Sequence, residues 1–212
     1  MKFQGFPDRA FHFYAGLEED NTREYWHGHK DVYDTCVRTP MEALAEALEK
    51  RFGPVKVWRP QRDTRFSNDK SPYKTHQGIT TESAGSVGYY AQLSAEGMRL
   101  GAGFHGGTEQ VGRYREAVDH ERYGPDLERI VRKLERDGWS LVGERLRTRP
   151  RGCPADHPRL ELMRYRSLGA ERLHPPAELG GPRALDLVRD GWSRLAPLVD
   201  WLEAHVSEEG RR

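Results

Sequence analysis

The feature that most constrains this chain is a change of period near residue 55. Up to Gly53 the apolar residues recur at helical spacing, and beyond it come short runs rich in β-branched and aromatic residues, at 55–58, 75–82, 87–94 and 98–104. Ser94-Ala95-Glu96-Gly97 is the turn expected between the last two. Short connections of this kind join antiparallel neighbours, because parallel ones need a crossover of a dozen residues or more. The centre of the chain is therefore predicted to be an antiparallel sheet.

Helices are predicted on both sides of it. Ala10, Phe13, Tyr14 and Leu17 mark a first helix after Pro7-Asp8. Asn21 and Glu24 have the spacing of a capping box, opening a second helix with Tyr25, His29, Val32 or Tyr33, and Cys36 on one face. Thr39-Pro40-Met41-Glu42 signals another start, and Leu44, Ala45, Leu48 and Phe52 carry its stripe to Gly53. After the sheet, Thr108 is the expected cap for Val111, Tyr114 and Val118. Gly124-Pro125 then precedes Leu127, Ile130, Val131 and Leu134, with Gly138 as the stop. Residues 139–146 read as strand, Asp156-His157-Pro158 as the opening of a short helix through Tyr165, and 168–173 as a last strand. Pro182 opens a helix bearing Leu185, Val188, Trp192, Leu195, Leu198 and Leu202, which Pro197 should kink or divide. The expectation is one α+β domain over residues 1–212, with N-terminal and C-terminal helices packed on a central antiparallel sheet.

Charge directs attention to one place. Segment 59–74 holds five basic residues (Arg59, Arg62, Arg65, Lys70, Lys74) and two acidic ones (Asp63, Asp69), a local +3 in a chain whose total is +1, so the remainder carries −2. Asn68-Asp69 and Ser71-Pro72 are turn signals that would fold Arg62 and Arg65 back toward Lys70 and Lys74, with Phe66 and Tyr73 anchoring the ends. Together with the hydroxyls of Ser67 and Tyr73, these donors suit a phosphate or carboxylate. The alternative is that Asp63 and Asp69 neutralise the arginines and the loop only ties helix to sheet. If chemistry occurs, Asp63, Asp156 and His157 are the candidates for proton transfer, although Asp156 also suits a helix N-cap.

The same residues carry a resemblance. Arg59-Pro60-x-Arg62-Asp63-x-Arg65-Phe66-Ser67-x-Asp69-Lys70-x-Pro72-Tyr73-Lys74-Thr75 resembles the hallmark of a large bacterial and fungal family known as a domain of unknown function, number twenty-four sixty-one in its series. Phe3-x-Gly5-Phe6-Pro7, Asn21-x-Arg23, Tyr89-Tyr90, Pro150-x-Gly152, Asp156-His157-Pro158 and the pairs Pro197-Leu198 and Trp201-Leu202 extend the likeness. Asp20-Asn21 and Tyr25-Trp26 depart from it, where the family tends toward paired asparagines and Trp-Phe. The resemblance implies weight for the basic loop and brings no activity with it.

Other motifs point away from cofactors and metals. Gly101-x-Gly103-x-x-Gly106 spells a dinucleotide fingerprint, but its helix leads to another helix instead of a parallel strand, so glycines relieving crowding in a sheet fit better. His27 and His29, two apart on a helix, point to opposite sides and cannot share an ion. Cys36 and Cys153 form neither a disulfide framework nor a zinc motif. No cofactor and no metal are expected. The N-terminus lacks the apolar stretch of a signal peptide and no run is long enough to span a bilayer, so a cytoplasmic protein without a membrane partner is expected. The foremost expectation is a small anionic ligand held by Arg62, Arg65, Ser67, Lys70, Tyr73 and Lys74. Alternatives are a nucleic-acid-binding module, disfavoured by the near-neutral charge, and an interaction protein docking an acidic partner. Oligomeric state is left open.

Overall fold

The computed structural model describes residues 2–65, 69–81 and 86–207. Helix α1 (Asp8–Glu19) buries Ala10, Phe11, Phe13, Tyr14 and Leu17, the stripe its spacing predicts. The next start differs from expectation. Helix α2 (Arg23–Gly28) is capped by Thr22, whose hydroxyl accepts the Tyr25 N–H at 3.1 Å. Asn21 instead reaches 52 residues along the chain: its amide donates to the Tyr73 carbonyl at 3.0 Å and its oxygen accepts the Tyr73 N–H at 3.1 Å. A carboxamide offers the same donor and acceptor as a peptide group, so it pairs with a strand-like residue once a neighbouring threonine supplies the cap.

A three-residue α3 (Lys30–Val32) runs into a π-helical turn (Tyr33–Arg38) and then into α4 (Thr39–Phe52). The expected cap at Thr39 is absent. Thr39 is itself helical, its N–H donating to the Asp34 carbonyl five residues back, and its hydroxyl donates to the same oxygen at 2.8 Å. Pro40, next in line, has no N–H and crowds the carbonyl four residues behind it, which is the physical reason for a wider turn here. The residues buried along this stretch are Trp26, Tyr33, Cys36 and Val37; His29 is exposed and stacks on Tyr25. Gly53, at φ +79°, ends α4 as expected.

Six strands follow: β1 (Val55–Val57), β2 (Gln77–Thr81), β3 (Val87–Ser94), β4 (Gly97–His105), β5 (Ser140–Val142) and β6 (Ser167–His174). They form one antiparallel sheet in the order β1-β2-β3-β4-β6-β5. Val55 lies opposite Thr81, Gln77 opposite Leu93 and Leu141 opposite Ala170. In β3, Val87, Tyr89, Ala91 and Leu93 alternate inward, which fixes the register because a one-residue slip would turn that set to the other face. Helices before and after this sheet in the chain complete the α+β class expected. Gly103 of β4 explains the fingerprint letters: a Cβ there would fall 2.4 Å from the Leu168 carbonyl oxygen, so the glycine lets two backbones approach.

Contacts gather into two compact units. Unit 1 comprises Met1–Glu82, Tyr90–Leu100 and Leu173–Asp190; unit 2 comprises Ser83–Tyr89, Gly101–Arg172 and Gly191–Arg212. Leu17, Leu44, Leu48, Ile79 and Leu93 are fully buried in the first, and Tyr114, Leu127, Leu168 and Trp192 in the second. The later helices depart from their predicted caps. Helix α5 (Thr108–Asp119) has Gly107 before it and no side-chain cap, and α6 (Tyr123–Arg136) leads to Gly138 at φ +85°. Helix α7 (Leu160–Met163) is shorter than expected, follows Arg159 and is not capped by Asp156. Helix α8 (Arg183–His205) is not divided at Pro197, because burial of Leu195, Leu198, Val199 and Leu202 on either side of the proline holds it together. Among the described residues no helix is long and apolar enough to cross a membrane.

Candidate functional site

The basic segment does fold back on itself. The Arg62 N–H donates to the Pro72 carbonyl and the Lys74 N–H to the Pro60 carbonyl, both at 2.9 Å, with Gln61 and Tyr73 bridged between them. Tyr73 is buried, stacked on Trp26 with ring centroids 4.2 Å apart, while Asn21 holds its backbone. The anchoring expected of Tyr73 is thus met; Phe66 and Ser67 lie outside the described residues.

The charges are largely taken by neighbours. Arg65 grips Asp63 through Nε at 3.0 Å and Nη2 at 2.6 Å, and Arg62 Nη1 meets Asp69 at 2.8 Å. Lys70 donates to the Thr64 carbonyl at 2.9 Å, and Lys74 to the Arg59 carbonyl at 3.1 Å with its ammonium 5.2 Å from the centre of the Trp58 ring. The Arg65 hydrogen bonds hold the Asp63 carboxyl well below the usual carboxylate range, so near neutrality it carries no proton to give.

An excess of positive charge remains at the base of the loop. Burial, then Arg59 and Arg62, lower the proton affinity of Lys74; burial, then Lys74 and Arg62, lower that of His76. The Nε of Arg62 is buried without an acceptor among the described residues. A buried donor without a partner is costly, and the positive charge around Lys74 and His76 is what an anion would offset.

Asp156 and His157 belong to unit 2, where the carboxylate that meets His157 is that of Asp119. His157 Nε2 meets Asp119 Oδ1 at 2.9 Å, and its Nδ1 accepts the Arg159 N–H at 3.1 Å. With Nδ1 accepting, the proton sits on Nε2 and is donated to Asp119. Both ring nitrogens are therefore engaged in joining α5 to the turn before α7, and Asp156 is exposed.

Unit 1 also contains a cleft of about 340 Å³ that sequence reasoning missed. Trp26, Tyr33, Asp34, Arg38, Trp58 and Arg59 are among the residues that line it. Its floor is tied by a buried relay: the Tyr33 hydroxyl donates to Gln77 Oε1 and the Gln77 amide to the Trp58 carbonyl, each at 2.6 Å. Burial pushes the Tyr33 phenol up to about 12, so it stays a donor at neutral pH. Lys30 pairs with Asp34 through Oδ2, and Arg38 with Glu42 at 2.8 Å, while Asp34 Oδ1 is buried without a donor. The signal was present as charges of alternating sign four apart, Lys30, Asp34, Arg38 and Glu42, a helical stripe along the edge of the cleft.

A family model described as "Conserved hypothetical protein (DUF2461)" matches residues 9–201, a span that includes both the basic loop and the cleft. No curated protein and no solved structure matches the chain.

Proposed function

We propose, for a chain that belongs to the DUF2461 family of conserved hypothetical proteins, that the base of its basic loop binds a small anionic ligand bearing phosphate or carboxylate. The ligating groups are Arg62 and Lys74, joined by Arg59 and His76. Arg65 and Lys70, also expected to contribute, serve the loop's own structure through Asp63 and the Thr64 carbonyl. The observation that carries this reading is the buried Nε of Arg62, unpartnered among the described residues, in a guanidinium whose charge lowers the proton affinity of both Lys74 and His76. Isothermal titration with inorganic phosphate and with acetate tests it. Binding should weaken at least tenfold in an Arg62→Ala, Lys74→Ala double variant, and equal affinity in the two proteins, or none in the parent, would refute it.

One observation favours a second reading. Trp58 is 43% exposed, with the ammonium groups of Lys56 and Lys74 at 5.5 Å and 5.2 Å from its ring centre, an arrangement that stacks a base of single-stranded nucleic acid beside its phosphate. Affinity for short oligonucleotides that falls steeply with salt, and is lost in Trp58→Ala, distinguishes this from binding of the free anion.

A further inference from the structure

The cleft beside the loop contains a polar atom whose environment is unfinished. Asp34 Oδ2 accepts from Lys30, yet Oδ1 of the same carboxylate is buried with no donor. A carboxylate oxygen removed from water without a hydrogen bond is costly, and the strongest compensation is a charged N–H donor. No group among the described residues supplies one. Arg59, which also lines the cleft, is exposed, and its guanidinium makes no hydrogen bond or ion pair among the described residues. A carboxylate with one unfilled acceptor and a cation with no partner among the described residues therefore line the same cavity.

The walls between them define what would fit. Trp26, Tyr33 and Trp58 present aromatic surface to a volume of about 340 Å³, near the lower end of small-molecule pockets. Three cations (Lys30, Arg38, Arg59) and two carboxylates (Asp34, Glu42) line it, a net +1 that disfavours a purely cationic guest. Lys30 and Arg38 are already occupied by Asp34 and Glu42, so the positive charge left over is that of Arg59.

We infer that the cleft receives a free amino acid or a compound of that class, its ammonium donating to the Asp34 carboxylate, its carboxylate on Arg59 and its side chain against Trp26 and Trp58. This rests on the anion reading, since Arg59 also belongs to the cationic base of the loop, and it adds the second recognition point and the class of ligand. The π-helical turn has a direct part in it. Asp34 is the residue whose backbone carbonyl takes both the N–H and the hydroxyl of Thr39, so the widened turn fixes the carboxylate's position at the cleft.

The test is titration of the full chain with the twenty free L-amino acids, followed by calorimetry and by the fluorescence of Trp26 and Trp58. Each amino acid that binds is then compared with its N-acetyl derivative, which lacks the ammonium, and its amide, which lacks the carboxylate. At least one free amino acid should bind, and both derivatives should bind at least tenfold more weakly. Arg59→Ala, at an exposed position, should weaken the free amino acid and its amide unequally, the amide losing little. Asp34→Asn should weaken the free amino acid tenfold and leave the N-acetyl derivative unchanged. Equal binding of free and N-acetylated forms, or no amino acid binding while phosphate or acetate does, overturns the inference and leaves the anion site standing. No binding of amino acids, phosphate or acetate overturns both.

Discussion

Tyr14 and Tyr114 are both buried, at 1% and 0% exposure, and their hydroxyls meet opposite fates. Tyr114 donates to the Leu162 carbonyl at 2.9 Å, whereas the Tyr14 hydroxyl has no partner among the described residues. Burial raises the proton affinity of both phenols, so each is a neutral O–H whose value depends on having an acceptor. Tyr114→Phe removes one of two donors to the Leu162 carbonyl, which keeps the Tyr165 N–H at 3.1 Å, and should cost about 0.5–1.5 kcal/mol. Tyr14→Phe removes a group that was desolvated without compensation and should be neutral or stabilising. Urea denaturation of the two variants gives the contrast directly; a large loss for Tyr14→Phe would mean that its hydroxyl has a partner. In the sequence the two tyrosines look alike, each an aromatic residue on a helical stripe. What separates them is a carbonyl 48 residues away, which no local pattern encodes. Asn21 teaches the same lesson, since its local surroundings spell a cap and its partner is Tyr73.

Among the elements, the loop from Arg59 to Lys74 depends on one aromatic stack. Trp26 is 4% exposed, lies flat on Tyr73 with an interplanar angle of 8°, and meets the Phe13 ring edge-on at 5.8 Å. Trp26→Ala should cost about 3–5 kcal/mol, the usual range for a large buried aromatic. It should also release the hairpin selectively. Limited trypsin digestion under conditions where the variant keeps its helical circular dichroism should then cut first within 62–74; cleavage there no faster than elsewhere would show that Trp26 does not hold the loop. The periodicity that located the elements was legible because it reports burial: the stripes of α1, α4 and α6 and all of β3 lie where the residues indicate. The helix starts were much less legible. Thr39, Thr108 and Asp156 all have cap-forming side chains, yet a π-helical turn, a preceding glycine and a displaced start left each without that role. Capping contributes about 1 kcal/mol, so tertiary contacts and the geometry forced by Pro40 readily override it. The loop's fold-back was readable from its turn residues, whereas the neutralisation of Arg62 and Arg65 by Asp69 and Asp63 was one of two readings the charges allowed. The cleft was not legible because its walls come from two separate stretches, 26–42 and 57–61, neither unusual by itself.

For the molecule as a whole, the near-neutral net charge of +1 conceals two histidines with the same acid liability. His76 in unit 1 is half-buried, and burial with the charges of Lys74 and Arg62 lowers its proton affinity below the ordinary 6.5. His205 in unit 2 is lowered by burial and by His120. A histidine whose folded pKa lies below its unfolded value binds fewer protons folded than unfolded. Its contribution is therefore fully present above 6.5 and is lost as the pH falls through that value toward the lower folded one. Each can add at most about 1.4 kcal/mol per pH unit to the slope. The carboxylates of Asp63 and Asp69 are also lowered, but their window opens only below 3.8, so the two losses separate on the pH axis. Denaturant midpoints measured from pH 8 to pH 5 should fall, and His76→Gln should flatten the part of that fall belonging to unit 1. The anion site makes a further demand on the same titration. A bound phosphate would offset the charges of Lys74 and Arg62 that His76 feels and raise its proton affinity, so saturating phosphate should reduce the acid slope of the parent protein. In His76→Gln the same phosphate should stabilise without changing the slope. A slope in the parent that phosphate leaves unchanged would separate His76 from the ligand and confine the site to Arg59, Arg62 and Lys74.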